Sequence, residues 1–299
     1  MLVTMKEILD RANVDNYAVA APNVDSELTA RACIEAAEEM QAPLILDVAF
    51  RATVDIFFFG HQLRKLAEQS NVPIAINLDH GASIEQVQKA IRAGFTSVMI
   101  DRSSYSNEDN IRDVKEVVKL AHAVGVSVEA ELGHVGHAEN YSHDRDAALT
   151  DPKFAKEYIV QTGVDCLAVA IGTAHGSYPK GSTPVIDIDR LIEIKKQTNN
   201  FPLVLHGSSG TDNEVLRKVC SLGINKVNIN NDLCKAAVSA VLNADLEGNR
   251  AYFIFKTAQL GFKEKLKEMI SIYGSHGKSW VPESKGLPKT TLPVIPKES

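Results

Sequence analysis

Three histidines follow apolar, strand-like segments, and a glycine comes directly after each of them. They are His80, His175 and His206. Imidazole is a common zinc ligand, and three protein ligands with one open position are typical of a catalytic zinc site. A neighbouring glycine would let backbone approach a ligand closely. Since no cysteine stands at these positions, a closed structural zinc site is disfavoured, and the pattern predicts one catalytic metal site.

Acidic and amide side chains end most of the other apolar segments as well. Asp79 adjoins His80, and a carboxylate so close to a metal-bound substrate would serve as general acid or base. A role in orienting the metal ligands remains the alternative for Asp79. We expect the polar strand ends to converge on the same site: Asn23, Asp47, Asp101, Glu131, Asn228 and Asn230.

Two segments near the third histidine have the composition of a phosphate cradle. Residues 206–211 contain Ser208 and Ser209 between glycines, and residues 228–232 are rich in asparagine. Backbone N–H groups, hydroxyls and a helix N-terminus bind phosphate in this way. Capping of the following helices by the same side chains is the plainer alternative, and both roles are compatible.

A long segment at residues 129–149 is charged and contains glycine. Loops of this length often close over active sites. Glu139 is therefore a candidate acid or base carried by a lid, with a solvated surface loop as the alternative. His134, His137 and His143 lie in the same segment, and we do not assign them to the metal.

Short apolar segments alternate with amphipathic helical segments along most of the chain. Continuous apolar strands are typical of parallel sheets that are buried on both faces. Eight strand–helix units predict an α/β fold, a (β/α)8 TIM barrel, whose active site lies at the carboxyl ends of the strands. An open doubly wound sheet is the alternative, weakened because no G-x-G-x-x-G follows the first strand. The predicted strands are 18–21, 44–48, 74–78, 97–100, 127–132, 166–171, 203–205 and 226–229.

The predicted helices follow the same segments. We expect a single barrel domain over residues 1–280, with a C-terminal helical extension, and a loosely attached tail over residues 281–299 that contains several prolines. The helical segments with clear periodicity are 26–40, 83–93, 110–124, 152–162, 187–198, 212–222 and 232–242.

Composition restricts the partners and the compartment. The chain has 299 residues and a net charge of -6, which argues against nucleic acid as a partner. No segment has transmembrane length and no signal peptide is evident, so no membrane partner is expected. The four cysteines lack CxxC spacing, which fits free thiols in a reducing compartment. A cytoplasmic location is the default expectation.

Several of these motifs together resemble the class II, zinc-dependent ketose-bisphosphate aldolases, which include fructose- and tagatose-bisphosphate aldolases. The resemblance extends over about residues 4–280, and its most specific block is Leu-Ala-Val-Ala-Ile-Gly-Thr-Ala-His-Gly at 167–176. The other blocks are Leu-Asp-His-Gly at 78–81, Glu-Ala-Glu-Leu-Gly at 129–133, Leu-His-Gly at 205–207 and Val-Asn-Ile at 227–229.

The resemblance implies roles for individual residues. Zn2+ would be bound by His80, His175 and His206, with Asp101 and Glu131 at a second, displaced metal position. Asp79 would move the proton of the hydroxyl that becomes the aldehyde. The remaining implied residues are Glu139 for the donor carbon, Asn23 for the oxygen that gains charge, and Gly176, Gly207, Ser209, Asn228 and Asn231 for dihydroxyacetone phosphate.

The implied reaction is the reversible cleavage of a ketose 1-phosphate or 1,6-bisphosphate to dihydroxyacetone phosphate and an aldehyde. Breaking a carbon–carbon bond beside a ketone leaves an enediolate, whose charge Zn2+ stabilises as a Lewis acid. A Schiff-base aldolase would instead need a lysine at the barrel mouth, and Lys226 is predicted at the opposite end of its strand. The family also implies a monovalent cation (Na+ or K+) for some members and a homodimer or homotetramer.

The chain departs from the family pattern mainly in the lid and on the acceptor side. Residues 47–53 replace a serine- and glycine-rich segment, and Arg102 stands where a small residue is usual. Arg51 and Arg102 therefore suggest a different aldehyde acceptor with an anionic group such as a carboxylate, although an arginine suits carboxylate and phosphate alike. Surface ion pairs of the two arginines are the alternative. Two rival functions remain: a metal-dependent hydrolase on the same barrel, and a non-catalytic barrel subunit that supports a partner aldolase.

Overall fold

The strands and helices alternate as expected for a barrel. The computed structural model describes residues 1–136, 149–176, 178, 183–247 and 251–281. The strands are β1 Val19–Pro22, β2 Leu44–Ala49, β3 Ile74–Gly81, β4 Ser97–Ile100, β5 Ser127–Leu132, β6 Cys166–Val169, β7 Leu203–Leu205 and β8 Ile224–Ile229.

Helices separate these strands, and a short 3-10 helix, Phe50–Ala52, follows β2. The helices are α1 Met5–Asp15, α2 Glu27–Glu39, α3 Ile56–Gln69, α4 Ile84–Arg92, α5 Asn107–His122, α6 Pro152–Thr162, α7 Ile188–Gln197, α8 Asn213–Ser221, α9 Asn231–Leu242 and α10 Ala251–Tyr273.

All eight strands are parallel and form one nearly closed barrel. Their order is β1-β8-β7-β6-β5-β4-β3-β2, so β1 pairs with the last strand. A single bridge between Asn23 and Asp47 joins the ends of β1 and β2. The prediction of a (β/α)8 barrel is therefore confirmed. Since parallel strands end at the same rim, the polar residues that follow them share one end of the barrel.

Most predicted element boundaries differ from the observed ones by one to three residues. The predicted strand 226–229 starts two residues late, since β8 begins at Ile224, and Lys226 is thus the third of its six residues. None of the predicted helical segments corresponds to α1 or α3. The predicted C-terminal helical extension corresponds to α10, and residues 282–299 of the predicted tail lie outside the described residues.

The barrel interior has an apolar floor. Side chains of α1, among them Met5, Ile8 and Leu9, are buried against small inward-facing residues of the strands. Ile45 and Ala75 belong to this layer. Because strand side chains alternate between two faces, the residues two positions further along also point inward. The side chains two positions after the floor residues therefore form the next layer.

That next layer is polar. On β2 and β3 the inward positions after Ile45 and Ala75 carry Asp47 and Asn77, and Lys226 of β8 contacts both Asp47 and Glu129 of β5. These four side chains are fully buried. The charged layer lies between the apolar floor and the rim that carries the histidines. Within the described residues, no helix has both the length and the apolar composition needed to cross a membrane.

A buried hydrogen-bond chain connects the outer helices to the end of β5. The Tyr158 hydroxyl donates to Asn110 Oδ1 over 2.6 Å, and Asn110 Nδ2 donates to the Glu131 carbonyl over 3.1 Å. All three residues are buried. The chain therefore holds the backbone of Glu131, one of the predicted site residues.

Replacing Tyr158 with phenylalanine should destabilise the fold. The change Tyr158→Phe leaves the buried Asn110 Oδ1 without its donor, and we expect the free energy of unfolding to fall by about 1–3 kcal/mol. Denaturant unfolding measures the loss. Tyr105→Phe is the control, because Tyr105 is exposed. Equal stability of the two variants would contradict the structural role of the chain.

Candidate metal and active site

The three predicted histidines meet at the rim of the barrel. Their ring centroids lie 4.7 Å apart for His80 and His206, 5.0 Å for His80 and His175, and 5.8 Å for His175 and His206. Glu131 joins them, and one ligand atom from each of the four residues lies within 4.8 Å of the others. Three imidazoles and a carboxylate form a donor set that suits zinc.

Several buried atoms of this cluster have no hydrogen-bond partner. They are His80 Nε2, His206 Nδ1 and Glu131 Oε2. Buried polar atoms are normally satisfied, so a converging group of unsatisfied ones calls for an explanation. A divalent cation among the three atoms would satisfy all of them at once. The residues present therefore fit the metal that the sequence predicts.

Acidic residues behind the rings orient two of the histidines. Asp101 Oδ2 lies 2.8 Å from His80 Nδ1, which leaves Nε2 facing the cluster. Glu129 Oε1 lies 2.8 Å from His206 Nε2, which leaves Nδ1 facing it. Carboxylates that bind the second ring nitrogen are common behind metal-ligating histidines. Asp101 thus supports His80, whereas Glu131 belongs to the cluster itself.

Protonation differs between the rings. Burial and the neighbouring imidazoles His206 and His80 lower the pKa of His175 to about 4, so this ring is neutral at neutral pH. For His206, burial opposes protonation, but the neighbouring carboxylates of Glu129 and Glu131 outweigh it and raise the pKa to about 10. A metal ion must therefore displace a proton from His206 before binding to it.

Close contacts inside the protein require two of the glycines beside the histidines. A Cβ on Gly81 would lie 2.4 Å from the Met99 carbonyl oxygen, and one on Gly207 would lie 2.5 Å from the Ala174 carbonyl oxygen. In contrast, Gly176 lines the cavity and has open space around its missing Cβ.

Asp79 is held between two amides beside the metal cluster. Asn23 Nδ2 donates to Asp79 Oδ2 over 2.8 Å, and Asn228 Nδ2 donates to Oδ1 over 3.0 Å. Burial alone would raise the pKa of Asp79, but the charges of His80 and Lys226 are among the influences that outweigh burial and lower it to about 2. The carboxylate is therefore ionised and able to accept a proton.

A cavity of about 1000 Å³ opens over this cluster. It is lined by the candidate catalytic residues Asn23 and Asp79 and by two of the three histidines, His80 and His175. The lining also includes all seven residues predicted to bind phosphate: Gly176, Gly207, Ser208, Ser209, Asn228, Asn230 and Asn231. The structure thus brings the predicted phosphate residues to one cavity with His80, His175 and Asp101.

Some of the predicted phosphate side chains already have protein partners. The Ser208 hydroxyl donates to the Asn228 carbonyl over 2.6 Å, and Asn230 Oδ1 accepts from Cys234 Sγ over 3.3 Å. Asn230 also precedes α9 without capping it through its side chain. What faces the cavity at this point is the N-terminal end of a twelve-residue helix, where backbone N–H groups favour an anion.

The two acceptor-side arginines are in different situations. Arg51 lies on the 3-10 helix after β2, is exposed, and lines the cavity. Arg102 is mostly buried, and its Nε donates to Asp113 over 2.7 Å while Nη1 donates to two backbone carbonyls. Among the described residues that line the cavity, Arg102 does not occur. The ion-pair alternative thus describes Arg102, and Arg51 remains the acceptor-side candidate.

The lid segment can be followed only in part. Glu139, His137 and His143 lie outside the described residues. His134 lines the cavity, and its Nδ1 lies 2.9 Å from Ser103 Oγ. Among the described residues, His134 is not part of the metal cluster, in keeping with its omission from the predicted ligands.

Sequence reasoning missed the roles of Glu129 and Lys226. Lys226 Nζ lies 2.7 Å from Glu129 Oε2 and 3.1 Å from Asp47 Oδ2. Burial opposes the charge of Lys226, but Asp47 and Glu129 raise its pKa above the ordinary value, so the amine is protonated and unsuited to a Schiff base. The signal was present in the sequence, since each residue stands two positions before a rim residue on the same inward face.

Comparisons with known proteins agree with this site. A family model described as fructose-bisphosphate aldolase class-II matches residues 3–278. A fructose-bisphosphate aldolase of Thermus caldophilus is 40% identical over 310 aligned positions, which cover 93% of this chain and all of that protein. One from Helicobacter pylori is 37% identical over 307 positions, with 93% and 100% covered.

A solved structure gives the same result. The crystal structure of the YdjI aldolase from Escherichia coli K12 superimposes with a TM-score of 0.84 at 34% identity. The superposition covers 94% of this chain and 100% of that one. The similarity therefore extends over the whole barrel rather than over isolated motifs.

Crowding beside Gly207 should make this glycine indispensable. Gly207→Ala would place a methyl group 2.5 Å from the backbone next to His175, in addition to the cost of a left-handed backbone, about 1–2 kcal/mol. Gly125→Ala is the matched control, because its φ of 73° resembles the 64° of Gly207 but no atom lies within 4 Å. We expect the larger fall in unfolding temperature for Gly207→Ala; equal falls would contradict the crowding.

Proposed function

Because the chain belongs to the class II fructose-bisphosphate aldolase family, and is therefore an aldolase, we propose that it reversibly cleaves a ketose 1-phosphate or 1,6-bisphosphate to dihydroxyacetone phosphate and an aldehyde. The observation that carries this proposal is the convergence of three unsatisfied buried atoms beside the ionised Asp79, which lines the cavity together with His80 and His175. The bound metal would be zinc, held by His80, His175 and His206.

Asp79 is the proposed base for bond cleavage. In the cleavage direction the base takes the proton of the hydroxyl on the carbon that becomes the aldehyde. A low pKa keeps Asp79 ionised for this step, and the amides of Asn23 and Asn228 hold both carboxylate oxygens. Zinc bound at the histidines would act as a Lewis acid toward the ketone oxygen of the substrate.

The proposed phosphate site lines the same cavity. Gly176, Gly207 and the serines Ser208 and Ser209 are one part of it, and the start of α9 at Asn231 is the other. A phosphate held there by backbone N–H groups would fix the donor half of the substrate, and its distance from Asp79 would select the bond that breaks. A sodium or potassium ion beside the phosphate remains part of the proposal.

Two further roles follow from family membership. Glu139 would return a proton to the donor carbon, since a lid residue can reach the substrate from the open side of the cavity. Asp101 and Glu131 would provide the second metal position; Glu131 already lies in the cluster, and Asp101 contacts His80. Asn23, hydrogen-bonded to Asp79, would bind the oxygen that gains charge.

The rival readings are less consistent with the residues present. A non-catalytic supporting subunit would be expected to lose ligands, yet the three histidines, Glu131 and Asp79 are all in place. A hydrolase on this fold would need a position for water attack, and no observation favours it over an aldolase.

The assembly and compartment are proposals of the same kind. A homodimer or homotetramer is supported by exposed apolar side chains on α10, among them Tyr252, Phe253 and Phe255. The barrel domain would span residues 1–280. A cytoplasmic location is supported by the free thiols, three of which are buried.

Mutation of a metal ligand and mutation of the proposed base should have different effects on zinc content. We expect His175→Ala to lose both bound zinc and retro-aldol activity, because one ligand is removed. Asp79→Ala should keep zinc but lose about 10²–10⁴-fold in kcat, which is the usual contribution of a general acid or base. The measurements are zinc content and cleavage of a panel of ketose phosphates, with and without chelator.

Two outcomes would contradict this assignment. Normal kcat in Asp79→Ala would remove Asp79 from the mechanism. Full activity after complete removal of zinc would overturn the metal-dependent reaction as a whole.

Arg51 should select the aldehyde. We propose that its guanidinium binds an anionic group of the acceptor, such as a carboxylate, because it lines the cavity and has no protein partner among the described residues. Arg51→Ala is expected to lower kcat/KM about 10-fold or more for acidic aldehydes and to leave neutral ones unchanged. Arg102→Ala is the control, because Asp113 holds its side chain. Equal effects of both changes on every aldehyde would contradict this role.

A further inference from the structure

A buried ion cluster lies directly beneath the metal site. Lys226 Nζ sits between two carboxylates, 3.1 Å from Asp47 Oδ2 and 2.7 Å from Glu129 Oε2. Asn77 Nδ2 donates to the other oxygen of Asp47 over 2.8 Å. All four side chains are fully buried. In the reaction proposed above, none of them contacts metal or substrate.

Glu129 connects this cluster to a metal ligand. Its Oε2 accepts from Lys226, while its Oε1 lies 2.8 Å from His206 Nε2. His206 Nδ1 then points into the metal cluster, 3.1 Å from Glu131 Oε2. The carboxylate of Glu129 is therefore held at both oxygens, and the ring of His206 is held by it.

Stability alone does not account for a lysine at this position. Burying an ion pair costs much of what the pairing gains, and apolar residues of similar size are often as stable or more stable. The floor immediately below consists of such apolar residues, for example Ile45 and Ala75. An apolar residue at position 226 could not hold the Glu129 carboxylate in one orientation.

We propose that Lys226 is a positioning residue for the metal site, acting through Glu129 to keep His206 Nδ1 directed at the metal. This inference rests on the proposed metal site. Carboxylates behind metal-binding histidines typically change metal affinity 10–100-fold when altered. Lys226 supports such a carboxylate from one layer further down, and it should therefore affect affinity without touching metal or substrate.

The carboxylate behind the other supported histidine has different surroundings. His80 is held by Asp101, which accepts from Ser103 Oγ over 2.8 Å and is partly exposed. Water can replace a lost partner there. Around Glu129 every neighbouring group is fully buried, so a lost partner cannot be replaced in the same way. The dependence on Lys226 is therefore specific to the His206 side.

The test measures zinc affinity rather than activity. Metal-free proteins are titrated with Zn2+ against a chromogenic chelator, and visible spectra are recorded with Co2+, whose absorption reports ligand geometry. We expect Lys226→Met to bind zinc about 10–100-fold more weakly than the wild type and to give an altered Co2+ spectrum. A merely structural lysine would change neither measurement in the folded protein.

Two further variants serve as controls, and a double variant replaces Lys226→Met if that protein does not fold. Lys195→Met removes another buried lysine, whose Nζ binds Asn13 and the Phe201 carbonyl, and should leave zinc affinity unchanged. Asp47→Asn keeps the contact between Lys226 and Glu129 and should stay close to wild type. If Lys226→Met does not fold, Asp47→Asn/Lys226→Met removes one charge of each sign and should still bind zinc weakly.

The outcomes separate this inference from the proposed function. Wild-type zinc affinity in a folded Lys226→Met protein, or in the double variant, overturns the positioning role while leaving the metal site intact. Loss of affinity equal to that of Lys195→Met also overturns it. If the wild type itself binds no zinc, the proposed function fails instead.

Discussion

The charged groups in the layer below the rim depend on partners, because their side chains are fully buried. Isolated charges cannot remain ionised in such surroundings, and paired ones are stable only when their remaining oxygens and protons are satisfied. Glu129 meets this condition with one oxygen on Lys226 and one near His206. The atoms that do not meet it, His80 Nε2, His206 Nδ1 and Glu131 Oε2, are those that a cation would satisfy.

The alternation of strand side chains places these groups at their heights in the barrel. An apolar floor formed with α1 is followed by the ion layer and then by the rim that carries the histidines. Chemistry is confined to the rim, where the cavity opens. The layer below the rim does not contact substrate, but it determines how rigidly a ligand such as His206 is held.

Much of this arrangement could be predicted from the sequence, and the failures have physical causes. The barrel, the three histidines and Asp79 follow from strand ends, which share one rim in any parallel barrel. Glu129 and Lys226 were missed because attention to strand ends overlooks inward positions one layer down. The partner of Arg102 is Asp113 on α5, and a pairing across two elements depends on their packing. The glycines beside His80 and His206 avoid backbone contacts that no sequence pattern reveals.

Location of the metal tests the central claim most directly. Crystals of the zinc-loaded protein, measured at the zinc absorption edge, would give an anomalous difference map. We predict one strong peak at about 2.0–2.1 Å from His80 Nε2, His206 Nδ1 and a ring nitrogen of His175. A peak away from both the three histidines and the second position at Asp101 and Glu131, or no peak in a protein that cleaves ketose phosphates, would contradict the account.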